Sequence, residues 1–512
     1  MYDLVIKNGN IYVGDGGAPF VSDIAIKNGK IVKIGENIAA ECGVIDATGL
    51  AVTPGFIDSH SHSDRELLSY PEMREKLEQG ITTAVGGQCG SSFAPVALQY
   101  RDDSAYATRL TVSALYDEVD NVPEGMSTLS FVGHGSIRNA IIGMANRPAT
   151  EEELERMKAL LRDALDAGAV GMSFGLLYSP GCYAESEELY ALARVVGERG
   201  GLLSAHVRNE ADGLVESTKE FIDIVKASGG AIGIHSHMKA AYKQNHGGVK
   251  EALRLIEEAN REGYEMYCDV YPYVASHTTL SARFVQKEMR ADGKLSENMA
   301  SPEKRASTRE WIYSWCDPSS LDFSWIFVDY CPAYPEYQGK YLNEIAKMHG
   351  KDAIETGMDL LRDAPNTACA YFSLCEEDVE EVIRHPLAMF CTDSEVAANR
   401  EIFHPRLRGS FPRVLARYVR ERGIITLSEA IRKMTSLPAK VYRLKSKGLI
   451  REGYDADLCI FSPDRIRDNA DFVDCKAKND GLDYVIVAGE IAARDGVYTG
   501  TRSGRLIRAN NS

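Results

Sequence analysis

Eight short apolar runs, most of them followed by a helical pattern, divide the middle of this chain at 51–58, 81–88, 128–134, 169–175, 201–206, 230–237, 263–270 and 386–393. Strands that alternate with helices pair in parallel, because each connection has to cross back over the sheet. Eight is the number that closes into a (β/α)8 barrel, and a chain of 512 residues has room for more than that barrel. One helix start is well marked, with Thr150 and Glu153 in capping-box spacing ahead of Leu154 and Met157.

The two ends read differently. Short strands broken by Asn-Gly and Gly turns run through Leu4-Val5-Ile6-Lys7-Asn8-Gly9, Asp23-Ile24-Ala25-Ile26-Lys27-Asn28-Gly29 and Ile31-Val32-Lys33-Ile34-Gly35. The same texture returns in Asp457-Leu458-Cys459-Ile460-Phe461 and Tyr484-Val485-Ile486-Val487-Ala488-Gly489. The expected fold is therefore α/β: a TIM-like barrel over 54–440, with a small β-sandwich domain that 1–53 and 441–512 form together. The seventh and eighth runs are too far apart for one helix, which predicts an insertion around 283–385. Its front, Gln286 to Arg309, is charged and rich in small residues, the composition of a mobile lid.

Composition excludes several function classes. A formal charge of -16, from 74 acidic and 58 basic residues, argues against a nucleic-acid or anionic-lipid partner, although local lysines and arginines can still build a positive pocket. No apolar run approaches the roughly 18 residues of a membrane span, and Met1-Tyr2-Asp3-Leu4 opens no secretory leader. The 11 cysteines are odd in number, scattered and free of CxxC pairs, which suits free thiols in a reducing cytoplasm. Oligomeric state is not fixed by these features, and a homo-oligomer stays open.

In a parallel barrel, function gathers at the C-terminal strand ends. Standing there are His60 and His62, Cys89, His134, Tyr178, His206, His237, Tyr271 and Asp393, so five of the chain's 11 histidines fall at strand ends, an enrichment that favours a metal site. His60 and His62 are two apart and on a strand would face one side, a natural pair of imidazole ligands. Glycines beside Cys89, in Gly86-Gly87-Gln88-Cys89-Gly90, let backbone approach a ligand closely. His134, between glycines, reads as a hydrogen-bonded scaffold residue. His235 and His237 share a strand face, so alternation leaves both open; the one nearer the strand end is preferred. Lys239 also reads as a solvated side chain, and Asp393 as a helix cap.

Several of these stretches resemble the amidohydrolase superfamily and, within it, the N-acyl-D-amino-acid deacylases (D-aminoacylases). They are Pro54-Gly55-Phe56-Ile57-Asp58-Ser59-His60-Ser61-His62, Gly87-Gln88-Cys89-Gly90, Gly175-Leu176-Leu177-Tyr178, His206-Val207-Arg208-Asn209-Glu210, Ser236-His237-Met238-Lys239, Asp269-Val270-Tyr271-Pro272-Tyr273, Thr392-Asp393 and Gly453-Tyr454-Asp455-Ala456-Asp457-Leu458. They occur in family order over nearly the whole chain. Hydantoinase-like and dihydroorotase-like members are expected to carry a carboxylated lysine after strand four, whereas Ala169 to Pro180 contains none. The resemblance implies a tight zinc on Cys89, His206 and His237, with His60 and His62 completing a weaker second site. Thiolate with imidazole is a sound zinc donor set in its own right. Where this family usually has an aliphatic residue the chain has His235, and the neighbours Ser236 and Lys239 favour His237 as the ligand.

The same resemblance implies hydrolysis of the amide bond of small N-acyl-D-amino acids. Asp393 is the expected proton carrier and Tyr178 the expected donor to the oxyanion. Lys239, Tyr271, Ser276 and Arg283 are the expected grip on the substrate's α-carboxylate, for which Arg283 has the bidentate geometry. Two other readings stand beside this one: a different amide hydrolase of the superfamily, acting on a dipeptide or a cyclic amide, and an inactive barrel scaffold, against which the full set of expected ligands argues.

Overall fold

The computed structural model describes residues 1–395 and 400–509. Its centre is the barrel. Strands β1 (Phe56–Asp58), β2 (Ile81–Gly86), β3 (Ser127–Ser130, resuming at Val132–Gly133), β4 (Gly171–Gly175), β5 (Leu202–His206), β6 (Ile232–His235), β7 (Met266–Val270) and β8 (Ala388–Phe390) pair in parallel in that order. At the interruption in β3, Phe131 N donates to Gly86 O and Val170 N donates to Ser130 O, which carries the ladder from β2 to β4. At the seam between the last strand and the first, Ser59 N donates to Phe390 O at 3.3 Å and Asp393 N donates to His60 O at 2.9 Å.

Alternation along the strands fills the interior. Ile57, Val85, Leu129, Leu202, Ile232, Ile234, Tyr267 and Met389 form one buried cluster with Leu437 and Val441 of the helix Ser436–Val441 and with Tyr442, which follows it. The helices between strands bury their apolar stripes on the outside, among them Glu151–Ala167, which starts at the expected capping box of Thr150 and Glu153.

The chain ends do pair. A nine-stranded sheet runs from Val497–Tyr498 through Leu458–Phe461 and Ala51–Pro54 to Leu4–Ile11 and Lys30–Gly35, around an aliphatic core that includes Ile6, Ile24, Val52 and Ile460. The run 51–58 is thus two strands: Ala51–Pro54 belongs to this sheet and only Phe56–Asp58 to the barrel. Gly55 makes the switch, and a Cβ there would lie 2.2 Å from Thr82 Oγ1. Asn8-Gly9, read as a turn, lies inside the strand Leu4–Ile11, where the register with Phe20–Lys27 shifts.

Between β7 and β8 lies a four-stranded sheet of Ser276–Thr279, Ala368–Tyr371, Ile326–Tyr330 and Lys340–Tyr341 with its own helices and core. Here the expectation of a solvated front segment is corrected. The stretch is helical over Leu295–Ala300 and Pro302–Trp315, and Met299 and Ile312 are fully buried in that core. A charged composition concealed the few apolar positions that pin it.

Candidate active site

The C-terminal rim of the barrel opens into a cavity of about 390 Å³, lined by His62, Cys89, Tyr178, His206, His237, Lys239, Tyr271, Ser276, Arg283 and Asp393 among others. Cys89 lies at its centre. Its Sγ is 3.2 Å from His237 Nε2, 3.3 Å from His60 Nε2 and 3.6 Å from His206 Nδ1. Two donors held by one tetrahedral zinc, one sulfur and one nitrogen, would stand about 3.6 Å apart, given the usual zinc bond lengths. The spacing of this donor set therefore fits a zinc ion. Burial opposes ionisation of the Cys89 thiol, but the charges of His60 and His237 and hydrogen bonds from His206 and His237 hold it well below its ordinary range.

Backbone conformation delivers these groups. Cys89 (φ 52°), His237 (φ 34°) and Asp393 (φ 47°) all take the left-handed region that non-glycine residues seldom adopt. The Cys89 loop also lies hard against the end of β4: a Cβ on Gly90 would meet Gly175 N at 2.4 Å, and one on Gly175 would meet Cys89 O at 2.0 Å. The turn at His237 sends the two imidazoles to different sides of the strand. Ile232 and Ile234 point into the barrel, so His235 points outward, where Thr218 Oγ1 is 3.3 Å from its Nε2 and burial pushes its pKa down to about 4. Continued as a strand, residue 237 would face outward too; the positive φ swings it back over the rim. His134 stays out of the cluster, with Nε2 2.8 Å from Glu188 Oε1.

On the far side of Cys89, Asp393 Oδ1 lies 3.3 Å from His62 Nε2 and 3.4 Å from His60 Nε2, and Oδ2 accepts from Arg406 Nη1 at 2.7 Å. His60, Cys89, His237 and Asp393 offer ligand atoms that all lie within 4.8 Å of one another. Burial would raise the Asp393 carboxyl, but Arg406 and the nearby imidazoles hold it well below its ordinary range. Tyr178 accepts from Thr278 Oγ1 at 3.1 Å, which leaves its own proton to donate. Tyr271 Oη and Ser276 Oγ are buried without a hydrogen-bond partner among the described residues.

Four functional-looking groups were not singled out from the sequence. Arg406 pairs with Asp393. Glu210 contacts His206, His237, Lys239 and Arg283. Asp269 accepts from His237 N at 2.6 Å and lies 3.4 Å from His60 Nδ1. Lys76 binds Asp58 Oδ2 at 2.9 Å and Ser394 Oγ at 2.9 Å beneath the Asp393 loop. Glu210 and Asp269 sit inside stretches that drew attention for their neighbours, which was the signal available.

Fold and cluster together define a class: a (β/α)8 protein with a thiolate, imidazole and carboxylate donor set at the catalytic end of its barrel. The amidohydrolase family model matches residues 43–307 and 322–493, and the chain belongs to that family, in its N-acyl-D-amino-acid deacylase branch. It is similar to D-aminoacylase of Alcaligenes xylosoxydans xylosoxydans, 31% identical over 99% of this chain and 97% of that protein. N-acyl-D-glutamate deacylase of the same organism is 32% identical over 100% of this chain and 97% of that protein. Among solved structures, N-acyl-D-glutamate deacylase of Bordetella bronchiseptica, complexed with zinc and a phosphonate that mimics the tetrahedral intermediate, superposes with a TM-score of 0.84 at 33% identity, over 99% of both chains. Among the described residues no helix is long and apolar enough to cross a membrane.

Proposed function

We propose that the protein hydrolyses the amide bond of N-acyl-D-amino acids, giving a carboxylate and a free D-amino acid, with zinc as its metal. One observation carries this reading. Cys89 Sγ faces three imidazole nitrogens at 3.2–3.6 Å while an ionised Asp393 stands across the same cluster, which puts a metal pocket and a proton acceptor at one point. Cys89, His206 and His237 would hold zinc, and His60 and His62 a weaker second ion. Bound there, zinc supplies Lewis acidity toward an amide carbonyl and acidifies water.

The chain's own groups do the rest. Arg406 occupies Asp393 Oδ2, so Oδ1 is the oxygen that takes a proton from the attacking water and passes it to the departing amine. The Tyr178 hydroxyl donates to the oxygen that gains charge. Tyr271 and Ser276 bring unpaired hydroxyls to the α-carboxylate, and Lys239 and Arg283 bring positive charge. Relatives that act on D-amino-acid derivatives support the substrate class, and 11 free cysteines suit a reducing, cytoplasmic setting.

The test pairs zinc analysis of the purified protein with a screen of N-acetyl-D- and N-acetyl-L-amino acids for released amine. Bound zinc and turnover confined to D-enantiomers are expected; equal rates on both enantiomers, or none on either, would overturn the reading.

A further inference from the structure

Glu210 lies just past the end of β5, its side chain 1% exposed. Its two oxygens are used alike. Oε1 faces His237 Nδ1 at 3.1 Å and accepts from Lys239 Nζ; Oε2 faces His206 Nε2 at 3.3 Å and accepts from Arg283 Nη2 at 2.6 Å. Each oxygen therefore binds one cation and lies within ion-pair distance of one imidazole, and Lys239 Nζ, 2.7 Å from His237 Nδ1, is nearer to that nitrogen than Glu210 is. The two rings turn their other nitrogens, His206 Nδ1 and His237 Nε2, toward Cys89 Sγ.

We infer that Glu210 is the positioning residue that ties the metal pocket to the carboxylate grip. On one side it backs both rings: its oxygens lie within ion-pair distance of His206 Nε2 and His237 Nδ1, and the Lys239 ammonium that it binds stands 2.7 Å from His237 Nδ1, so the two rings are held with their other nitrogens toward Cys89. On the other side it anchors Lys239 and Arg283, whose long side chains would otherwise sample many rotamers. A single carboxylate thereby sets two histidines for the ion and two cations for the substrate. Although His206, Glu210 and His237 also lie within 4.8 Å of one another, both Glu210 oxygens are already matched by protein cations, which favours the supporting role over direct ligation.

The inference rests on the deacylase reading for its substrate half only. Glu210→Gln in the full-length protein keeps the shape and removes the charge. Zinc affinity, measured by chelator competition, is expected to weaken ten- to a hundredfold, the usual effect of removing such a partner. KM for an N-acetyl-D-amino acid is expected to rise at least threefold, and the melting temperature of the metal-free protein to fall, because Lys239 and Arg283 lose their buried counter-charge. Should the glutamine variant not fold, Glu210→Asp carries the test: it keeps the charge, is one methylene shorter and cannot reach both pairs, so both quantities move by at least threefold. Zinc affinity and KM unchanged within twofold would overturn the role, and so would a change in one alone, since the link requires both. A parent protein that turns over no N-acyl-D-amino acid would sink the functional reading, yet the zinc arm would still decide whether Glu210 supports the histidines.

Discussion

The two ends of the barrel both bury carboxylates and treat them oppositely. At the C-terminal rim Asp58 has Lys76, Asp393 has Arg406, and Glu210 has Lys239 and Arg283, all within ion-pair distance. Before β3, at the other end, Glu124 is fully buried with a single hydroxyl partner, Thr128 Oγ1 at 2.7 Å from Oε2, and burial pushes its pKa up to about 8. Burial alone does not decide the charge of a carboxyl group; the cation beside it does. The rim is built to keep negative charge out of water, and the opposite end to keep a proton on.

Three substitutions test that contrast, from the largest effect down. Asp393→Asn removes the charge of the proposed proton carrier while its shape survives, so kcat should fall by roughly 10²–10⁴-fold with zinc content intact; near-parental turnover by the purified variant would remove Asp393 from the mechanism. Lys76→Met strands the Asp58 carboxylate, which also accepts from Thr392 N at 2.8 Å, and breaking a buried pair in this way costs about 3–5 kcal/mol of stability. Denaturant unfolding measures it, and a loss below about 1 kcal/mol would show that the pair is readily replaced.

Glu124→Gln acts through a slope, the smallest of the three effects per pH unit although it accumulates between pH 5 and 8. The folded protein holds the Glu124 proton up to about pH 8, and the ordinary value is 4.5. This group's contribution to stability is therefore complete below about pH 4.5 and is lost as pH rises toward 8, at up to about 1.4 kcal/mol per pH unit. The glutamine variant should lose less stability than the parent between pH 5 and 8; parallel melting curves across that range would mean that Glu124 titrates normally.

The eight strands and the residues at their ends were legible in the sequence because a strand's period is local and the barrel converts strand ends into one rim. The pairing of the chain ends was legible for the same local reason. What stayed hidden depends on partners remote in sequence. Arg406 gave no sign of Asp393, nor Lys76 of Ser394, because such pairs are made by closure and leave no spacing behind. His235 and His237 do not share one strand face as alternation predicts, because alternation holds only while the strand lasts and β6 ends at His235. The insertion's front was misread because its buried methionine and isoleucine are a minority among charges.

The seam between β8 and β1 has a consequence for how the protein is made. Thr392 stands 334 residues after Asp58, its hydrogen-bond partner, and at ordinary synthesis rates that interval is roughly 17 to 67 seconds. Until Phe390 and Asp393 leave the ribosome, β1 has an open edge where it will meet β8, and Lys76 and Asp58 wait without Thr392 and Ser394. The nascent chain thus carries Cys89 and His60 long before the aspartate that would work beside them, and hydrolytic competence arrives only when the last barrel strand docks.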